Sequence, residues 1–393
     1  MKNMKKIVSL MMVLVLVFAL AGCGSTTPDA ADNKTNEAGN TETGTADGGS
    51  TETKSNEAVI AEIIIANGTI DDGSFNQGAW EGIKEYAEAN NLSYQYYESA
   101  ENTTDSQLEA IKLAVENGAK IVVAPGFNFE TTIYQAQDIY PDTKFVLLDG
   151  EPHDEAYENY KTNDNVACIF YAEQEAGFLA GYALVKDGFR NLGFMGGMAY
   201  PAVMRYGYGY IAGADYAAKE LGLQEGEVKM NYTYTGNFEA TPDNQTLAAS
   251  WYQDGTEVIF ACGGSVGYSV MAAAEQTDTH VVGVDTDQYR DSETVITSAE
   301  KMLANSVIQA LTDWGNDEFK GGATTTLDVT EDGVGIAIDT ARFTKFTKED
   351  YDEIYQMLVN DTDGIRSGIP NDTAAESADG VPADIVKVTV ANN

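Results

Sequence analysis

From about Val59 onward, apolar residues follow two alternating periods. Short runs such as Ile63-Ile64-Ile65-Ala66, Ile121-Val122-Val123-Ala124 and Phe145-Val146-Leu147-Leu148 have no polar alternation. Runs of this kind predict parallel strands covered on both faces. Between them the spacing turns helical: Trp80, Ile83, Tyr86 and Ala87 lead along Glu81 to Asn90, then come Asp105 to Asn117, stopped by Gly118, and Glu130 to Tyr140. Leu92 to Tyr97 is a further strand.

A second series begins near Val166. Helices are predicted over Glu173 to Lys186, Pro201 to Leu221 and Pro242 to Tyr252, and strands over Leu192 to Met195, Val228 to Thr233, Val258 to Ala261 and Val281 to Val284. Alternation at these lengths implies right-handed βαβ crossovers and parallel sheets with helices on both faces. Two such series predict two doubly wound α/β domains, with a ligand cleft where they meet. The stretch after Asp285 is shorter than a domain and is expected to return through a hinge. The Glu300 to Trp314 helix would then join the first sheet, while Gly333 to Ile338, Tyr351 to Val359 and Ile385 to Val390 would complete the second. The expected boundaries are 59–165 plus about 290–325 for one lobe and 166–289 plus about 326–393 for the other.

Ligands of open α/β sheets collect at the carboxyl ends of the strands. Asp71-Asp72-Gly73-Ser74-Phe75-Asn76-Gln77-Gly78-Ala79-Trp80 lies at such an end, with Ser74 placed to cap the helix that follows. Phe75 there is either a staple at the helix start or an aromatic face for a ligand. The other polar or glycine-rich strand ends are Ala66-Asn67-Gly68, Asp149-Gly150, Cys262-Gly263-Gly264 and Asp285-Thr286-Asp287-Gln288. A carboxylate such as Asp149 or Asp285 caps a helix, or it accepts hydrogen bonds from a polyol or base edge. Tyr206, Tyr208 and Tyr210 are two apart, so on a helix they cannot all face one ligand.

Charge narrows the function classes. The chain has 23 basic and 62 acidic residues, a formal net charge of −39, which argues against nucleic acid or an anionic membrane surface as a specific partner. Enzyme signals are weak: the glycine loops lack a phosphate-binding lysine, and His153 and His280 are not at metal-ligand spacing. No catalytic residue, metal or cofactor is expected.

The first residues carry a processing signal. Lys2, Lys5 and Lys6 precede an apolar core from Ile7 to Leu20, followed by Leu20-Ala21-Gly22-Cys23. That core is short for a membrane span, and small residues before a cysteine mark cleavage. The pattern resembles a bacterial lipoprotein signal over 1–22, with a diacylglyceryl thioether on Cys23 anchoring the chain to the extracytoplasmic face of the cell membrane. Residues 24–58 are Ser, Thr, Asn, Gly and acidic residues with little to bury, and are expected to be a flexible tether. Cys168 and Cys262, each in or at the end of an apolar run, are expected to be buried free thiols.

Several of these motifs, in order, resemble the basic membrane protein family, lipoprotein substrate-binding subunits of ABC importers whose characterised members bind nucleosides, often purine ones. The first is Asp71 to Gln77. The second is Phe194-Met195-Gly196-Gly197-Met198 with Pro201, Arg205, Gly209 and Gly213. Gly236-Asn237-Phe238 and Val258-Ile259-Phe260 follow, then Gly263-Gly264, Gly283-Val284-Asp285, Thr297-Ser298 and Lys301. The resemblance, over about Val59 to Ile338, implies a type I periplasmic-binding-protein-like fold. By that resemblance Phe75 and Phe238 would sandwich a base, Asn76 and Asp149 would read its edge, and Asp285 and Lys301, expected on opposite sides of a hinge crossing, would hold ribose hydroxyls. Gly263 completes the candidate ligand-binding set. Two departures stand out: Ala66 replaces an Asp usual in the family, and Gly263 to Tyr268 carries Gly264, Ser265 and bulky Tyr268. The expected partners are a nucleoside-like solute and an ABC permease, with the chain a monomer; the alternative is a lipid-anchored sensor signalling to a membrane partner. An exported α/β hydrolase is a third class, distinguished by turnover.

Overall fold

The computed structural model describes residues 59–66 and 68–391; the leader, Cys23 and the tether lie outside the described residues. The chain begins with β1 (Val59–Ile64), α1 (Phe75–Asn90), β2 (Ser93–Glu98), α2 (Thr104–Glu116), β3 (Ala119–Pro125), α3 (Glu130–Ile139), β4 (Lys144–Leu148) and β5 (Val166–Tyr171). It continues through α4 (Glu173–Asp187), β6 (Asn191–Gly196), α5 (Pro201–Glu220), β7 (Val228–Tyr234), α6 (Pro242–Gln253), β8 (Val258–Cys262), α7 (Val266–Thr277), β9 (His280–Asp285) and β10 (Val295–Lys301). Last come α8 (Leu303–Gly315), β11 (Ala323–Leu327), β12 (Val334–Ile336), α9 (Lys348–Val359) and β13 (Val386–Val390).

These strands form two sheets, ordered β11-β5-β4-β3-β1-β2 and β12-β10-β9-β8-β6-β7-β13. Every pairing is parallel except β10 with β12. In the first sheet Ile60, Ile121, Val123 and Val146 face Ala79, Ile83, Val307 and Leu311 of α1 and α8. Its other face buries Ile63, Val122, Phe145 and Leu147 against Ile111 and Ile133 of α2 and α3. Burial on both faces is why these strands are continuously apolar. Strand order reverses between β1 and β3, and again between β6 and β8. Both reversals open a crevice at the carboxyl edge of their sheet.

The chain passes between the sheets at Ala172, Met302 and Asp328 to Gly333. The structure therefore differs from the sequence reading at two edges. Val166–Tyr171 belongs to the first sheet, because the crossing falls at Ala172, where no glycine or proline marks it. Val295–Lys301 is a strand of the second sheet, and only from Leu303 does the predicted helix begin and pack on α1. The β-branched run Val295-Ile296-Thr297 starts that strand, and Glu300 and Lys301 pair with Gly335 and Val334.

One helix pair fixes the site's geometry. On α4, a Cβ at Gly177 or Gly181 would lie 2.1–2.2 Å from the carbonyl oxygens of Tyr206 and Tyr210. On α5, Cβ atoms at Gly209 and Gly213 would lie 2.0 and 1.9 Å from those of Gln174 and Phe178. The two backbones touch where only glycine fits. That close crossing sets Glu173, first residue of α4, against Arg205 of α5.

Candidate functional site

A cleft of about 310 Å³ opens where the carboxyl ends of the two sheets face each other. Its walls are the loops after β1, β3 and β4 from one side and those after β6, β7, β8, β9 and β10 from the other. All seven residues singled out in the sequence, Phe75, Asn76, Asp149, Phe238, Gly263, Asp285 and Lys301, line it.

Phe75 opens α1, and Ser74 does not cap that helix with its side chain. Asp72 does so instead: its carboxylate accepts the backbone N–H groups of Ser74 at 2.9 Å, Gln77 at 3.1 Å and Asn76 at 3.2 Å. The Ser74 hydroxyl is thereby free to cross the cleft and donate to Asp285 Oδ2 at 2.5 Å. Thr286 and Gln288 both donate to the Gly73 carbonyl, at 2.8 and 2.7 Å. The lobes thus meet along one side of the cleft through the loop before α1. On another side Phe127, just after β3, meets Tyr200, just before α5, with ring centroids 3.8 Å apart; Phe238 stacks on Tyr200 at 5.7 Å. Gly197 makes room for the Phe238 ring, which would lie 2.4 Å from any Cβ there.

The floor is a buried charge cluster. Lys301 Nζ pairs with Asp149 Oδ2, lies 3.0 Å from Glu173 Oε1 and 3.9 Å from Asp285 Oδ1. It also lies over the Phe75 ring, 4.6 Å from the centroid. Arg205 bonds the other Glu173 oxygen at 2.5 Å and reaches Asp372 at 3.2 Å. Burial pushes the Asp149 carboxyl up, with Lys301 opposing and the Glu173 charge adding to the rise. Burial acts the same way on Glu173, but Arg205 and Lys301 outweigh it and hold that carboxyl below its usual range. Asp285 is raised by burial despite Lys301 and the Ser74 hydroxyl. Asp149, Glu173 and Asp285 thus share the Lys301 ammonium, while Glu173 and Asp372 share the Arg205 guanidinium.

Asp149 Oδ1 is buried without a hydrogen-bond partner. An acceptor of this kind at a cleft wall costs stability unless something else supplies the donor. Asp149 and Asp285 both hold positive φ, 52° and 66°, so each strand ends in a turn that aims its carboxylate into the cleft.

Sequence reasoning placed Asp285 and Lys301 on opposite sides of a crossing; they end adjacent strands of the second sheet, where Asp285 pairs with Glu300. It is Asp149, from β4 of the first sheet, that Lys301 reaches across to. Lys301 is buried, 5% exposed. Glu173, Tyr206, Phe127 and Tyr200 were not recognised as site residues. Glu173 follows an apolar run as Asp149 and Asp285 do, but in the sequence it is only the first residue of a predicted helix. All three of Tyr206, Tyr208 and Tyr210 are buried, and of these only Tyr206 lines the cleft, its hydroxyl donating to Asp285 Oδ1 at 3.4 Å. Cys168 and Cys262 are buried free thiols as expected. Among the described residues, no helix is long and apolar enough to cross a membrane.

Residues 60–371 match the family described as ABC transporter substrate-binding protein PnrA-like. The chain is 29% identical over 287 residues to the ABC transporter nucleoside-binding protein BmpA of Lactococcus lactis subsp. cremoris, covering 67% of this chain and 77% of that one. It is 28% identical to basic membrane protein A of Borreliella burgdorferi, over 72% of this chain and 80% of that protein. The fold matches a solved ABC transporter solute-binding protein from Aeropyrum pernix K1, with TM-score 0.62, 22% identity, 79% of this chain and 89% of that one covered. A second, from Conexibacter woesei, matches with TM-score 0.62 and 21% identity, covering 80% of this chain and 99% of that one. With its paired doubly wound sheets and a cleft at their facing edges, the chain belongs to the PnrA-like family of ABC transporter substrate-binding proteins, which are binders and not enzymes.

Proposed function

We propose that this protein is the lipid-anchored extracytoplasmic binding subunit of an ABC importer, and that it holds a nucleoside, purine nucleosides in preference, between its two lobes. The observation that carries this reading is the buried, unpartnered Asp149 Oδ1 at the wall of a cleft that also holds Phe75 and Phe238. A hydroxyl-rich, neutral ligand with a flat face answers both features. It supplies donors to the carboxylates and a ring for the aromatic side chains. The excess of carboxylates over cations on the floor disfavours an anionic ligand such as a phosphorylated nucleoside. The relative named for nucleoside binding supports the same ligand class.

In this reading Phe75 and Phe238 take the base and Asn76 its edge, with the Gly263 backbone alongside. Because Lys301 ties Asp149 to Asp285, we group Asp149 with the hydroxyl-binding residues and not with Asn76. Binding would draw together the loops of both sheets and so select the closed arrangement that a permease must recognise. Anchoring through Cys23 would keep the loaded protein beside that permease. The test is native mass spectrometry of the protein purified without added solute, followed by calorimetry with the solute found. A co-purifying nucleoside supports the proposal; a sugar, amino acid or peptide in its place overturns the ligand assignment. For the anchor, Cys23→Ser should leave affinity intact and shift the protein to the soluble fraction; persistent membrane fractionation would refute the lipid assignment.

A further inference from the structure

The carboxyl edge of the first sheet changes character along its length. In strand order, Asp149 follows β4, Phe127 and Asn128 follow β3, Ala66 lies beyond β1 and Asn102 beyond β2, and all five line the cleft. Neighbouring strands are about 4.8 Å apart, which puts the ends of β4 and β2 about 14 Å from each other. The Phe75 ring lies between these ends: a Cβ on Gly126, just after β3, would be 3.8 Å from its Cε1. The Lys301 cluster is at the β4 end. Towards the β2 end the cleft side chains are carboxamides, those of Asn128, Asn76 and Asn102. Two further cleft carboxylates are not bonded to Lys301. Asp72 is taken up by the backbone N–H groups of Ser74, Asn76 and Gln77, and Glu239 is exposed on the facing lobe, after β7.

Asn102 is held from both sides in the chain. Before it, the Ser99 N–H and hydroxyl both donate to the Ile64 carbonyl, at 2.9 and 3.2 Å, tying the start of the loop to β1. After it, Thr103 caps α2, its hydroxyl accepting from Ser106 N–H at 3.3 Å. The Asn102 carboxamide nitrogen donates to the Ala66 carbonyl at 3.3 Å. A carbonyl only accepts, so the nitrogen, and not the oxygen, must face it. That contact orients the amide and leaves Oδ1 as an acceptor at the cleft. Ala66 adds no polar side chain of its own, and Asn76 uses its backbone N–H, not its carboxamide, in the helix cap.

With the sugar hydroxyls at the β4 end and the base beside Phe75, the edge of a purine farthest from its sugar points to the β2 end. Purines differ there. Adenine offers an amino donor next to a ring-nitrogen acceptor, whereas hypoxanthine and guanine offer an oxo acceptor next to a ring N–H donor. A freely turning carboxamide would serve either pattern. One whose nitrogen is held by a backbone carbonyl accepts from the amino group and repels the oxo group.

We propose that Asn102 is a specificity-determining residue, and that the site takes a 6-aminopurine nucleoside in preference to a 6-oxopurine one. Asn102 Oδ1 accepts from the amino group, and the Asn76 carboxamide donates to the adjacent ring nitrogen. Guanine fits least well: its far edge presents two neighbouring donors, which call for a carboxylate, and the carboxylates of this cleft are held at the other end, capped by backbone N–H groups or out in solvent on the facing lobe. The inference rests on the nucleoside reading above and adds to it the class of base.

The test is calorimetric titration of the protein, freed of co-purified solute, with adenosine, inosine, guanosine and purine riboside, which carries no group at the 6-position. Adenosine should bind about tenfold or more tightly than each of the other three, the difference made by about one well-placed hydrogen bond. In Asn102→Ala the ratio of adenosine to purine riboside affinity should fall to within about threefold of one, with the melting point nearly unchanged, because the side chain is exposed. A wild type that binds inosine or guanosine as tightly as adenosine overturns the proposal. So does an Asn102→Ala variant that loses affinity for all four nucleosides by the same factor, since Asn102 would then only shape the loop. Binding without discrimination defeats this inference and leaves the nucleoside reading standing; binding of none of the four defeats both.

Discussion

At the residue scale, the cleft's chemistry resides in side chains whose environment has been changed by burial. Phe75 is half-buried on the rim, with Lys301 over its ring, and not wholly packed as a staple would be. Phe75→Ala should weaken nucleoside binding by on the order of 1–3 kcal/mol, from lost stacking and burial, with a smaller effect on stability. Unchanged affinity by calorimetry, with a lower melting point, would return Phe75 to a staple role. Glu62 is a different case. It sits fully buried in β1, neither oxygen has a hydrogen-bond partner, and burial, helped by the Asp72 charge, raises its carboxyl well above the ordinary value. The folded chain therefore holds this proton more tightly than the unfolded chain. As pH rises past the unfolded-state value, stability falls by about 1.4 kcal/mol per pH unit until the folded-state value is reached. Glu62→Gln removes that dependence. Its melting point should match wild type near pH 4 and exceed it increasingly towards pH 7; parallel curves would show that Glu62 has a partner. In the sequence Asp149, Gly263 and Asp285 stand out as polar or glycine-rich groups directly after apolar strands, whereas Phe238 and Lys301 are marked only by the family resemblance. The sequence did not disclose the pairing among them, because ion pairs such as Lys301 with Asp149 join residues far apart in the chain, on different sheets.

At the scale of elements, strands and helices were legible wherever a run was buried on both faces or had a regular helical period. α5, predicted over Pro201 to Leu221, spans Pro201–Glu220. The exceptions are instructive. β11, Ala-Thr-Thr-Thr-Leu, is an edge strand with an exposed middle and shows neither apolar run nor helical period. β10 was partly read as helix because Glu300 and Lys301 look like a helix start when their pairing with β12 is unknown. In the sequence Gly209 and Gly213 of α5 belong to a family motif and the glycines of α4 read as weak helix positions; the structure shows that they let two backbones touch. A methyl group at Gly213 would lie 1.9 Å from the Phe178 carbonyl oxygen, so Gly213→Ala must push the helices apart. It should destabilise the chain by about 1–3 kcal/mol or more in chemical denaturation. It should also weaken solute binding, by moving Arg205 from Glu173. A loss within about 0.5 kcal/mol would mean that the α4–α5 crossing is not closely packed in solution.

At the scale of the whole molecule, two sheets present their carboxyl edges to one cavity, and the groups that close it come from both. Ser74 reaches Asp285, Gly73 accepts from Thr286 and Gln288, and Lys301 pairs with Asp149. The two-series alternation made this architecture readable in the sequence, whereas the positions of the crossings were not, since Ala172 and Met302 carry no local signal. Because the Lys301–Asp149 pair spans the sheets, Lys301→Met and Asp149→Asn should be non-additive. Their coupling should appear in solute affinity, and not only in the melting of the ligand-free protein. Coupling confined to melting would make the pair a structural clasp. The central claim, a nucleoside bound between the lobes, is tested most directly by calorimetric titration of the purified protein, freed of co-purified solute, with purine nucleosides and their 5′-monophosphates. The account predicts one site per chain, a Kd of about 10 μM or tighter for a purine nucleoside, and affinity at least about tenfold weaker for its monophosphate. No heat from any nucleoside, or tighter binding of the monophosphate, would contradict it.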